Sequence, residues 1–230
     1  MENDYASYFE ARNWGQANSE ANFWYYDGLR KIVPLLAGAS VLEIGFGDGR
    51  FLDWCVSRKL KPVGVEILQA ALDKAHSLGH KVYLGPFSPA TLPGDHIVDL
   101  IAIFDVIEHL TINEIRQLLK DLLPHLAPNG RIVLRFPNGN SPFVGPVQTS
   151  DITHRTLVSP GTMLDICTPL NLQIQHAFND RMLPPGLGPK LRRRLAYALR
   201  SVIEAVISRA YFGAAMPLDP NVFVVLGRRS

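Results

Sequence analysis

Cysteine is scarce in this chain: Cys55 and Cys167 are the only two, far apart and each set in apolar sequence. That excludes a disulfide framework and any paired zinc-ligand spacing, and it fits a reduced, cytoplasmic protein. Charge of one sign is equally scarce. With 23 basic and 21 acidic residues the net charge is +2, too little for a surface devoted to nucleic-acid phosphates. No stretch reaches the roughly 18 apolar residues of a membrane span. Near the N-terminus Glu2, Asp4, Glu10, Arg12, Glu20 and Asp27 interrupt any apolar run, which speaks against a secretory signal. Repeats and low-complexity tracts are missing too. What is present is a hydrophobic content of 47%, enough for one core and one domain.

From residue 40 onward, short β-branched runs alternate with longer helical patterns, the signature of a parallel sheet covered on both faces. Strands are expected at 40–44, 62–66, 81–84, 98–104, 131–136, 172–178 and 221–226. Thr111 and Glu114 have the spacing of a capping box, and Ile115, Leu118, Leu119, Leu122 and Leu123 follow on one helical face, with an end expected near Pro128-Asn-Gly130. Ser159-Pro160 reads as an N-cap with proline at the first helical position. Four parts result: an aromatic-rich N-terminal helical or lid segment (1–36, with Tyr5, Tyr8, Phe9, Trp14, Phe23, Trp24, Tyr25 and Tyr26), a core (37–178), a helical insertion (179–217) and the last strand (218–230).

The strongest chemical signal is Val41-Leu-Glu-Ile-Gly-Phe-Gly-Asp-Gly-Arg50, an apolar strand running into Gly45, Gly47 and Gly49 and then a helix. A glycine turn at this junction lets backbone amides approach a ligand closely. A dinucleotide fingerprint would need glycine where Arg50 stands. The pattern is instead acidic-x-Gly-x-Gly-x-Gly, and Glu43, two residues ahead of the first glycine, suits a ligand carrying an ammonium. The second strand ends Gly64-Val-Glu-Ile67. A carboxylate at Glu66 can accept both hydrogen bonds of a vicinal ribose diol, so the ligand is adenosine-like.

On these residues, together with Asp99-Leu-Ile-Ala-Ile-Phe-Asp-Val-Ile-Glu-His-Leu110 and Leu126-Ala-Pro-Asn-Gly-Arg-Ile-Val-Leu134, the chain resembles the class I S-adenosylmethionine-dependent methyltransferases over about residues 40–136. The resemblance implies a Rossmann-like, doubly wound, seven-stranded, mostly parallel α/β sheet with an antiparallel last strand. It also implies S-adenosylmethionine as methyl donor and S-adenosylhomocysteine as product. It sets Gly45, Phe46, Gly47 and Gly49 under the methionine portion, Glu66 and Ile67 at the ribose, Pro86 and Phe87 near adenine, and Phe104 and Asp105 near the methionyl moiety. Where the family often has an acidic residue after the third strand, this chain reads Gly85-Pro-Phe-Ser88.

Farther along, Arg135-Phe-Pro-Asn-Gly139, Ser150-Asp-Ile-Thr-His-Arg-Thr156 and Leu218-Asp-Pro-Asn-Val222 resemble methyltransferases of bacterial cell-surface glycans. The Asp105 to Leu110 stretch equally resembles enzymes of quinone-type metabolites, and a non-catalytic binding module is the third reading. The glycine typical of the turn before the sixth strand is replaced by Pro169-Leu-Asn-Leu172.

A hydroxyl acceptor has to lose a proton, and histidine suits that task near neutral pH. His154 is the first candidate base, with Asp151 to orient it, and His109 the second; the alternative for each is to order its loop. Arg135 and Asn138 either face the acceptor or hold loop structure. Asp105, Glu108, His109, Asp151 and His154 could in principle assemble a divalent-metal site, since some sugar methyltransferases that the chain resembles use magnesium, but their spacing matches no known ligand motif and no metal is assigned. Residues 190–212 carry six basic side chains (Lys190, Arg192, Arg193, Arg194, Arg200, Arg209) against Glu204, with Leu191, Leu195, Leu199, Val202 and Val206 near one helical face. Such a helix either meets an anionic membrane or anionic substrate, peripheral to the inner membrane face, or packs on the sheet or a partner subunit.

Overall fold

In the computed structural model, residues 23–93 and 96–229 are described. The expected helix over the N-terminal residues, with Tyr5, Tyr8, Phe9 and Trp14, lies largely outside them. The elements run α1 (Trp24–Arg30), β1 (Ser40–Ile44), α2 (Arg50–Ser57), β2 (Lys61–Glu66), α3 (Gln69–Ser77), β3 (Val82–Leu84), β4 (Val98–Phe104), α4 (Ile112–Leu122), β5 (Leu126–Pro137), α5 (Gly145–Thr149), α6 (Pro160–Cys167), β6 (Leu172–Asn179), α7 (Leu187–Ile207) and β7 (Asn221–Arg228).

The strands form one sheet in the order β3-β2-β1-β4-β5-β7-β6. β1 to β5 pair in parallel, and β7 lies antiparallel between β5 and β6. Val41, Leu42, Glu43 and Ile44 are all buried, as a central strand covered on both faces must be. One core, around Leu42, Ile101, Ile103, Ile115, Leu119 and Met163, lies under α4 and α6. The other, around Val41, Leu100, Phe51, Trp54 and Phe223, lies under α1 and α2. Strand order reverses between β1 and β4, the place where open α/β sheets receive ligands at the strands' carboxyl ends.

Local signals account for most element ends. Thr111 and Glu114 form the expected capping box, and the Ser159 hydroxyl accepts from the Thr162 amide at 3.1 Å. The helix α4 ends earlier than the sequence suggested, at Leu122, and β5 already starts at Leu126. Pro124, in the 3-10 turn between them, has no amide hydrogen to continue the helix. Before β6, Asn171 adopts φ 54°; asparagine tolerates this left-handed conformation better than most residues and replaces the missing glycine.

The insertion is helical as expected, but it does not bury its apolar face. Leu191, Leu195, Leu199, Val202 and Val206 are each 60–65% exposed. α7 is fastened through its polar side instead. Arg181, just beyond β6, donates to Glu204 at 2.9 Å and to Ser201 at 2.7 Å, and it grips Asp219 at 2.8 and 2.9 Å. Tyr197 donates to the Met182 carbonyl. Among the described residues no helix is long and apolar enough to cross a membrane. Cys55 and Cys167 are both buried free thiols.

Gly64 of β2 lies where Phe46, from the glycine turn, presses on the sheet: an added Cβ would sit 2.6 Å from the Phe46 ring and 3.1 Å from Leu52 and Val82. Gly64→Ala is expected to cost about 1–3 kcal/mol by overpacking, seen as a lower urea midpoint at unchanged m value. An unchanged midpoint would show that Phe46 does not anchor the turn.

Candidate active site

The glycine turn joins β1 to α2 with three left-handed residues, Gly45 (φ 72°), Gly47 (φ 52°) and Gly49 (φ 76°). At Gly45 a Cβ would lie 2.4 Å from Val106, in the turn after β4, whereas at Gly49 it would meet nothing within 4 Å. Glu66 fixes the turn from the neighbouring strand: its carboxylate accepts from the Gly47 amide at 2.9 Å and from the Ile67 and Leu68 amides at 2.7 and 3.2 Å. Each carboxylate oxygen has two lone pairs; Oε1 has both engaged, and Oε2 keeps one for a ribose hydroxyl. Ile67 beside it is 45% exposed, an apolar surface at the mouth of the site.

Glu43 is 4% exposed, and its Oε2 has no hydrogen-bond partner. Burial, then the charges of Asp48 and Glu66, hold its carboxyl well above the usual carboxylate range. An orphaned buried carboxylate oxygen beside an open glycine cradle fits a ligand with a cationic amine. These residues therefore suit S-adenosylmethionine, Glu43 serving its ammonium and Glu66 its ribose. Phe46 contributes to such a site only through its backbone, because its ring is buried with Leu52, Leu72 and Val82. The Phe87 ring is likewise 9% exposed, edge-on to His125, while Pro86 is exposed.

At the carboxyl ends of β4 and β5 lies a cavity of about 340 Å³ lined by Trp24, Tyr25, Tyr26, Arg50, Phe104, Asp105 and Arg135. Tyr26 stacks on Phe104 and meets Phe51 edge-on. The Asp27 carboxylate holds α1 on α2 by accepting from Trp54 and Arg58 at 2.7–3.0 Å. Trp24, Tyr25 and Tyr26 thus both pack on the core and wall the cavity. Arg135 is ion-paired to Asp105 and, at 2.8 Å, to Asp180, and the Tyr25 hydroxyl donates to the same Asp180 carboxylate at 2.9 Å.

Of the two readings for Asn138, the structure has the loop-holding one. It is fully buried, donates to the carbonyls of Pro217 and Asp219, and accepts from the Asn140 amide, so it does not face an acceptor.

Beyond Asp105, a 3-10 turn carries Glu108 and His109. The 151–156 segment is sewn onto this turn: the Arg155 and Thr156 amides donate to the Glu108 carbonyl at 2.8 and 3.0 Å, and the Thr156 hydroxyl to the Leu110 carbonyl at 2.6 Å. This brings His154 to His109, ring centroids 4.8 Å apart. The expected Asp151–His154 contact is replaced by another. Asp151 accepts from the Thr153 hydroxyl, which contacts His109 Nδ1, whereas His154 Nδ1 faces the Gln148 carbonyl at 3.0 Å. Burial first, and then the like charge of Asp105, push the Glu108 carboxyl up to about 8. Burial, then His154, hold His109 below its ordinary value.

Sequence reasoning weighed Glu108 only within a metal set it did not assign and passed over Asp180 entirely. Glu108 carried a signal, its place next to His109 after the fourth strand; Asp180 had none, since its partner lies 45 residues away.

Because the folded-state pKa of Glu43 is raised, the native state retains a proton that the unfolded chain releases above about 4.5, and stability from this group falls as pH rises. Glu43→Gln is therefore expected to match the parent protein below pH 4.5 and to be the more stable at pH 7 without ligand, measured by thermal unfolding. A parent that is more stable at pH 7 would refute this.

The profile of a methyltransferase domain matches residues 24–177, while no curated protein matches. Among solved structures, an S-adenosylmethionine-dependent methyltransferase from Archaeoglobus fulgidus superposes with TM-score 0.64 at 19% identity, covering 92% of this chain and 95% of that one. One from Mesorhizobium loti gives 0.61 at 16%, covering 90% and 98%. A TehB-like methyltransferase from Corynebacterium glutamicum gives 0.59 at 15%, covering 99% and 98%. These likenesses speak to the fold, and the domain match spans two thirds of the chain: the chain belongs to the class I S-adenosylmethionine-dependent methyltransferases.

Proposed function

We propose that this methyltransferase acts on an oxygen, a sugar hydroxyl of a bacterial polysaccharide or glycolipid precursor. The observation that carries the reading is the cavity at the ends of β4 and β5. The rings of Trp24, Tyr25, Tyr26 and Phe104 offer apolar faces to the C–H side of a sugar, and Asp105 and Arg135 offer an acceptor and a donor to its hydroxyls. Glu43, the Gly45–Gly49 turn, Glu66, Ile67 and Pro86 hold the donor. S-adenosylmethionine, when bound, supplies an electrophilic methyl on a sulfonium. The protein's own task is to aim the acceptor oxygen and dispose of its proton. That falls to the histidines beside Glu108: Nε2 of His154, whose Nδ1 faces the Gln148 carbonyl, is the proton acceptor, and His109 is the second.

The acceptor is lipid-linked in this reading and met at an anionic bilayer. α7 supports it. A helix of 21 residues is roughly 31 Å long, and this one exposes Leu187, Leu191, Leu195, Leu199, Val202 and Val206 while five basic side chains stand against one acidic residue, Glu204, already engaged by Arg181. Apolar face and positive charge together match a surface of acidic headgroups over acyl chains.

His154→Ala is expected to lower kcat for transfer of labelled methyl to lipid-linked sugars by about 10²–10⁴-fold, with S-adenosylhomocysteine affinity unchanged. Methylation of a catechol in place of any sugar would overturn the acceptor class. In sedimentation with vesicles, binding is expected to phosphatidylglycerol-containing but not pure phosphatidylcholine membranes. It should weaken roughly 30-fold in Arg192→Glu/Arg194→Glu, at about 1 kcal/mol per basic residue lost. Equal binding to both vesicle types, or a dimer in solution that buries α7, would reject the membrane.

A further inference from the structure

The amino-acid end of the methyl donor is a zwitterion, and Glu43 answers only its ammonium. The carboxylate on the same carbon needs a partner of its own. Glu43, Asp48, Glu66 and Asp105 make this end of the sheet rich in negative charge, so an anion entering there requires a cation close by. Arg50 supplies one. It opens α2 directly after the glycine turn and lines the cavity. Its Nη2 meets Asp48 at 2.9 Å, and a guanidinium carries five N–H donors, more than that pair uses. The N-cap of α2 is Gly49, and a Cβ there would meet nothing within 4 Å. The space beside Arg50 is therefore open at the helix end that favours negative charge.

Tyr26 brings a second donor to the same place. Its ring is fixed by stacking on Phe104 and by Tyr25, Phe51 and Trp54, whose centroids lie 5.1–5.7 Å away. It lines the cavity together with Arg50, and no described residue hydrogen-bonds its hydroxyl. Burial first, then Glu43 and Asp48, hold the phenol above its ordinary value, with Arg50 opposing them. The phenol thus keeps its proton and can donate it. An ammonium and a carboxylate on one carbon demand that their partners be neighbours, and Tyr26 stands in the fields of both Glu43 and Arg50.

We propose that the Arg50 guanidinium and the Tyr26 hydroxyl form the carboxylate subsite of the methyl donor, as the counterpart of Glu43. The donor's amino-acid end then takes the part of the cavity next to the glycine turn, which leaves the part beside Asp105 and Arg135 to the acceptor. Charge-assisted hydrogen bonds from a guanidinium and a phenol are strong, and the fork of the guanidinium suits a carboxylate. Because Tyr26 belongs to α1 and Arg50 to α2, the bound carboxylate also bridges the two helices that the Asp27–Arg58 pair already joins. The subsite concerns the donor alone and does not depend on the acceptor reading.

The test compares S-adenosylhomocysteine with its decarboxylated analogue, the same thioether nucleoside ending in an aminopropyl chain, by calorimetry on the full chain at neutral pH. The parent protein is expected to favour S-adenosylhomocysteine. Arg50→Ala should weaken that ligand roughly 10–100-fold and Tyr26→Phe, which keeps the ring and its stacking, roughly 10-fold, the range for hydrogen bonds to charged groups. Both variants should bind the analogue as tightly as the parent does, which also verifies their fold. Arg50→Lys, with the charge but not the fork, should fall between Arg50→Ala and the parent. A parent protein that binds the two ligands alike, or equal losses for both ligands in the variants, would overturn the subsite. If S-adenosylhomocysteine affinity is unchanged in Arg50→Ala while KM for the acceptor rises, Arg50 belongs to the acceptor and the proposal falls.

Discussion

Arg135 is held at the end of β5 between two carboxylates, Asp105 from β4 and Asp180 from the end of β6, while Tyr25 of α1 donates to Asp180 from above. Taking a guanidinium out of water is costly, and removal of one partner from a buried pair is costlier still. Burial opposes the charge here, and Asp105, Tyr25 and Asp180 outweigh that and keep Arg135 firmly protonated. Three strands and the first helix are thereby indexed to one point, and the cavity is the space around it. Asp105 has the left-handed φ of 54°. From there the chain leaves the sheet and enters the turn bearing Glu108 and His109.

The same economy of backbone runs through the donor side. Glu66 spends its carboxylate on three amides, of Gly47, Ile67 and Leu68, so the glycine turn is shaped before any ligand arrives. Preorganised amides and carboxylates do not have to be reoriented on binding, which is where much of an enzyme's advantage lies. Glu43, by contrast, is left with an oxygen that nothing in the protein satisfies.

Strands, the capping box at Thr111 and the glycine turn were legible in the sequence because each rests on residues close together in the chain. The helix-to-strand change comes earlier than the sequence suggested for a local reason: the Pro-Asn-Gly at 128–130 looked like a stop, but Pro124 acts first. Phe46 and Phe87 were assigned to the cofactor by position along the chain, which does not say that their rings turn into the core. Asn138 looked like an acceptor contact, yet its partners come from 79 and 81 residues away. The clustering of His154 with His109 depends likewise on pairings across more than 40 residues. The apolar stripe of α7 was read correctly as a stripe. Periodicity alone could not tell whether a stripe faces the core or faces outward.

Asp180 and Arg181 are consecutive residues with opposite allegiances. The first holds Arg135 at the cavity, and the second clamps α7 and the Leu218–Asp219 segment through Ser201, Glu204 and Asp219. Only one planar peptide unit separates the two anchors. A shift of the outer helix therefore reaches the Arg135 cluster through a single link of backbone. The anchors of the insertion and of the cavity wall meet at adjacent residues of the chain.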